Sequence, residues 1–83
     1  MQVQNAQEFG KLIRDVRKAS NVTQKELAAA CGTGIRFIRE LEKGKPSCEL
    51  DKALLVTTML GIKLEALVFP EALIPPKEKN TGK

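Results

Sequence analysis

From Phe9 to Leu60 the apolar residues recur with a helical period, in blocks separated by glycine or short polar residues. Phe9, Leu12, Ile13 and Val16 stand at i, i+3, i+4 and i+7, one stripe of a helix. Asn5 and Glu8 have the spacing of a capping box, so this helix starts at Asn5 and ends near Ala19, with Gly10 a mild weak point. Ser20-Asn21 turns the chain. A second block opens TQKE, where Thr23 and Glu26 form another capping box, and Leu27, Ala28 and Cys31 share one face. Gly32-Thr33-Gly34 breaks the pattern, because glycine accepts the left-handed backbone that ends a helix. A third helix runs from about Ile35 to Lys43 and stops at Gly44. With Ile38 as its inward centre, Leu41 and Ile35 fall beside it, and Arg36, Arg39 and Lys43 fall on the opposite face. Small residues (Ala28, Ala29, Gly32) sit where two steeply crossed helices must approach. The stretch Thr23–Lys45 is thus a helix-turn-helix with a cationic outer face.

Ser47 reads as the cap of a fourth helix, in which Leu50, Ala53, Leu54 and Leu60 close the core, Thr57 and Thr58 mark the less buried side, and Gly61 is the stop. The period then changes. Ile62, Leu64, Ala66 and Val68 share one face, Lys63, Glu65, Leu67 and Phe69 the other, and Pro70 ends the run. This alternation reads as a strand, although Leu64-Glu65-Ala66-Leu67 also suits a helix. One strand in a helical chain has no internal partner for its backbone, so the natural solution is the same strand from a second copy about a two-fold axis. After Ile74, Pro75-Pro76 and the polar run to Lys83 read as disordered. The organisation expected is a DNA-binding domain over residues 1–61, a dimerisation strand over 62–70 and a flexible tail over 71–83.

Composition narrows the possibilities. The 83 residues make one small domain, and with 42% apolar but only 4% aromatic residues its core is aliphatic. Between Lys11 and Lys45 nine cations face four anions, whereas the rest of the chain sums to −1. The positive charge therefore belongs to the helix-turn-helix, as for a polyanion partner. There is no histidine, no nucleophile paired with a base and no phosphate-binding glycine loop, which argues against an enzyme or a cofactor. Cys31 and Cys48 are too few for a zinc site and read as small apolar residues, Cys48 just inside the fourth helix. Nothing resembles a signal peptide or the ~20 apolar residues of a membrane span. A cytoplasmic protein with reduced thiols is expected, on the nucleoid when bound to DNA.

Arg17 lies at the edge of the first apolar stripe and Glu42 at the edge of the inward face of the third helix. A partly buried carboxylate without a cation is costly, so the two are inferred to pair.

The residues TQKELAAACGTGIRFIRELEKGKP resemble the Cro/cI-type (XRE) DNA-binding family through Gln24, Glu26, Leu27, Ala28, Gly32, Ile38, Leu41, Glu42, Gly44 and Lys45. The similarity spans about Phe9 to Leu64. It implies a mainly α, lambda-repressor-like four-helix domain, and it supports the Arg17–Glu42 pair, since both positions match the family's ion pair between helices 1 and 3. The chain departs from the commoner pattern at the strand, where a fifth helix usually follows. The strand, with the run Gly34–Pro46, is similar to HipB-type antitoxins. That resemblance implies a homodimer on an inverted-repeat operator, a HipA-like Ser/Thr kinase toxin as partner, and repression of its own operon. A stand-alone phage-type repressor and a restriction-modification controller share the same residues. An interaction module without DNA function is the alternative from another class.

For DNA contact, Ile35, Arg36, Phe37 and Arg39 are the expected base readers, near the start of the third helix. Arginine matches guanine O6 and N7, and apolar side chains match the thymine methyl. Ile35 and Phe37 can instead be core or partner contacts. Gln24, Lys43, Lys45 and the Gly44 amide are expected on phosphates, with Lys25 and Lys18 adding a longer-range field.

Overall fold

A computed structural model describes residues 2–66. It contains α1 (Ala6–Ala19), α2 (Gln24–Cys31), α3 (Ile35–Glu42) and α4 (Leu50–Met59). Local chemistry fixes the starts of the first two. The Asn5 side chain accepts from the Glu8 amide at 2.8 Å, while the Glu8 carboxylate takes the Gln4 amide at 2.7 Å. Thr23 and Glu26 form the full reciprocal box, at 3.0 and 2.9 Å. Each such cap is worth about 1 kcal/mol.

All four helices end in one way. A residue with positive φ (Asn21, Gly32, Gly44, Gly61) donates its N–H three residues back, to Lys18, Ala29, Leu41 and Thr58 respectively. The next residue donates five back, from Val22, Thr33, Lys45 and Ile62 to Arg17, Ala28, Glu40 and Thr57. This is the Schellman geometry, which satisfies orphan carbonyls at a helix end.

Ile13, Ile38 and Val56 are fully buried, with Leu27, Ala28, Leu41 and Ala53 around them. Burying each of the three largest contributes about 1.5–3 kcal/mol. α3 lies against both α1 and α2, and α4 packs on α2. Gly10 is buried at the α1–α3 crossing, where a Cβ would press on the Leu41 and Glu42 carbonyl oxygens. A residue that weakens the helix in isolation is therefore what lets the two backbones meet.

α4 differs from the sequence expectation. Ser47 does not cap it: Glu49 holds the N-cap position, without a side-chain bond, and Ser47 and Cys48 are exposed ahead of it. The inward stripe is Ala53, Val56, Thr57 and Leu60, whereas Leu50 is 68% and Leu54 41% exposed. Thr57 tolerates burial because its hydroxyl donates to the Leu54 carbonyl at 2.6 Å. Residues 62–66 carry no regular secondary structure, with Ile62 packed on the core and Leu64 and Ala66 exposed. A strand is thus absent among the described residues, and Leu67, Val68 and Phe69, with the remainder of the expected strand and tail, lie outside them.

Candidate nucleic-acid interface

α3 begins without a side-chain cap at Gly34 and carries its charges outward because Ile38 and Leu41 point in. Arg36, Arg39 and Lys43 are exposed. Glu40 projects from the same outer face. Its two carboxylate oxygens take Arg36 Nε and Lys45 Nζ, each at 3.2 Å. Lys45, then Arg36, hold the Glu40 carboxyl below its usual range. Ile35 and Phe37 are half-buried against the core, and Lys52 Nζ stands 5.8 Å from the Phe37 ring centroid.

Behind this face a buried polar network joins the three helices. Arg17 Nε donates to Glu42 Oε2 at 2.6 Å and Arg17 Nη2 to Glu42 Oε1 at 3.0 Å. Arg17 Nη1 reaches the Val22 carbonyl at 2.9 Å, and Gln24 Nε2 donates to Glu42 Oε1 at 3.0 Å. The two charged side chains are only 9% and 3% exposed. The Glu42 carboxylate holds the Arg17 guanidinium in its charged form, raising its pKa against the opposing cost of burial. Such a fork is directional, so it fixes α3 relative to α1 and to the start of α2.

Two expected phosphate donors prove to be engaged. One Gln24 amide hydrogen is taken by Glu42, leaving the other, and the Gly44 amide is spent on the Leu41 carbonyl at the helix end. Gly44 is also buried on Gln7, where a Cβ would lie 2.7 Å from the Gln7 Cα. Lys25 and Lys43 are exposed and Lys45 is paired with Glu40. Between the helices lies a shallow cleft of about 610 Å³, lined by Arg14, Gln24, Arg39, Glu42 and Lys43.

The sequence model of the helix-turn-helix family matches residues 13–67. The chain belongs to the Cro/cI-type (XRE) helix-turn-helix family. Among its relatives is y4mF of Sinorhizobium fredii (strain NBRC 101917 / NGR234), described as an uncharacterized HTH-type transcriptional regulator. It is 45% identical over 60 residues, covering 72% of this chain and 79% of that protein. The family is one of DNA-binding transcriptional regulators. The helix-turn-helix itself, α2 and α3, supplies Gln24, Lys25, Arg36 and Arg39. Arg14 of α1 and Glu40 of α3 stand beside them and are not among the contact residues expected from the sequence. Glu40 was legible at i+4 from Arg36, whereas Arg14 required the α1–α3 crossing. No group of three or more potential metal ligands occurs among the described residues, and no helix there is long and apolar enough to cross a membrane.

Proposed function

We propose that this chain is a sequence-specific transcriptional repressor that acts as a homodimer on an inverted-repeat operator. The observation that carries the reading is the outward cationic face of α3, held by the buried Arg17–Glu42–Gln24 network on a helix-turn-helix frame. In this reading Arg36 and Arg39 enter the major groove and read guanine edges, and the half-exposed Ile35 and Phe37 offer apolar contact to thymine methyls. Lys25, Lys43, Lys45 and the free Gln24 hydrogen face phosphates. Two copies related by a two-fold axis would set their α3 helices roughly 34 Å apart, one turn of the duplex. Occupancy of a promoter then blocks transcription.

The finer role proposed is that of an antitoxin in a HipA/HipB-like module, binding a kinase toxin and repressing its own operon. It draws on the similarity of Gly34–Pro46 to such antitoxins and on the alternating residues Ile62, Leu64, Ala66 and Val68 as a strand that pairs between two copies. A stand-alone repressor is the second reading, since it shares every residue of the helix-turn-helix. Capture of the tagged protein from its host, with sequencing of bound DNA and identification of bound protein, separates the two. A promoter-region inverted repeat together with a kinase is the expected result. DNA alone removes the antitoxin role, and recovery of no DNA removes the repressor.

A further inference from the structure

The exposed cations of the four helices and their connections differ in whether a carboxylate stands beside them. Lys11, Arg36, Lys45 and Lys52 each have a carboxylate within ion-pair distance: Asp15, Glu40, Glu40 and Glu49. Arg14, Lys18, Lys25, Arg39 and Lys43 have none among the described residues, and three of these five, Arg14, Arg39 and Lys43, line one cleft, Arg14 from α1 and the other two from α3 and its end. The cleft's only carboxylate, Glu42, is already consumed by Arg17 and Gln24 and is 3% exposed. The fold therefore gathers like charges from two elements without a counter-ion. Packing and the buried network, including the Gly10 crossing, fix the two helices that carry them. A cleft lined by charges of one sign focuses the field and raises the local concentration of anions.

We propose that the cleft is a phosphate-binding site to which α1 contributes Arg14, so that α1 and α3 jointly clamp one phosphate of the DNA backbone. This rests on the DNA-binding reading above and extends it beyond the helix-turn-helix. The guanidinium of Arg14 suits two oxygens of a phosphate at once, and Lys43 supplies a point charge beside it. The amide hydrogen of Gln24 not taken by Glu42 completes the donor set. The cleft is open on one side, which lets a strand run past its mouth.

The test is the salt dependence of binding to a random-sequence duplex, followed by fluorescence anisotropy for the wild type, Arg14→Gln and Lys18→Gln. Arg14 is exposed, so its variant folds, which the melting curve verifies. Loss of one phosphate contact lowers the magnitude of the log–log salt slope by about 0.9, with a similar loss of affinity for every sequence. Lys18→Gln removes the same charge from the same helix outside the cleft and shifts the slope by less than half as much. A duplex-binding wild type whose slope is unchanged by Arg14→Gln overturns the cleft and leaves the DNA reading standing. A wild type that binds no duplex overturns the DNA reading instead. Inorganic phosphate, titrated by amide NMR, then decides the cleft alone. Shifts around Arg14 and Lys43 that vanish in Arg14→Gln retain it as a site for free phosphate, and their absence removes it.

Discussion

The junction of α1, α2 and α3 and the outer helix α4 are built by different rules. The junction adds specific contacts to its apolar packing: two side-chain caps, a forked ion pair with a third donor, and a glycine where backbones touch. α4 has no side-chain cap, and it holds on through Ala53, Val56, Thr57 and Leu60 while Leu50, Leu54, Leu55 and Met59 remain exposed. Directional contacts define the orientation of a helix. Nonspecific apolar contacts define only that it is covered. The part of the molecule that must aim charges at a partner is the part held directionally.

Breaking the junction has the largest expected effect. Glu42→Ala leaves the Arg17 guanidinium buried with only the Val22 carbonyl, and should cost about 3–5 kcal/mol in chemical denaturation. A loss below 1 kcal/mol would show that the network is not what holds α3. Gly10→Ala comes next. The added methyl presses on the Leu41 and Glu42 carbonyls, and overpacking of about 1–3 kcal/mol exceeds the helix propensity gained. Thr23→Ala should cost about 1 kcal/mol through the lost cap. On α4, Leu54→Gln should change the stability of the monomer by less than about 0.5 kcal/mol. A larger loss that grows with protein concentration would mean that a second copy covers this face.

The smallest effect sharpens the electrostatics. The Glu40 carboxyl should titrate below the ordinary 4.5, and Lys45→Gln should move it up more than Arg36→Gln does, as read by side-chain NMR. Since its folded value is depressed, the associated stability is present above about pH 4.5 and is lost as the pH falls through the folded value. The Glu40 side chain is 34% exposed and screened by solvent, so the change in melting is small.

Local devices were the most legible part of the chain. Thr23 and Glu26 announce their box because both partners lie within one turn, and Gly32, Gly44 and Gly61 mark stops that depend only on the adjacent backbone. α4 was misread because its apolar residues surround the helix: Leu50-Ala53-Leu54 and Ala53-Val56-Thr57-Leu60 are both acceptable stripes, and only packing on α2 chooses between them. The edge position of Glu42 called for a cation nearby. The additional bond from Gln24, and the reason for Gly10, depend on how three helices cross, which no spacing within one helix encodes.

The repeated helix stop has a mechanical meaning. Each connector leaves its helix in a direction set by one left-handed residue and two N–H groups that donate back to helix carbonyls, so the joints between α1, α2 and α3 are corners without hinges. A single inserted residue upstream of Gly32 or Gly44 would turn everything after it by about 100°, with no slack to absorb the rotation. The same stiffness passes to any duplex the domain engages. Misfit cannot be taken up by the protein and must be met by bending or twisting the DNA, so base steps that touch no side chain would still be sorted by how readily they deform.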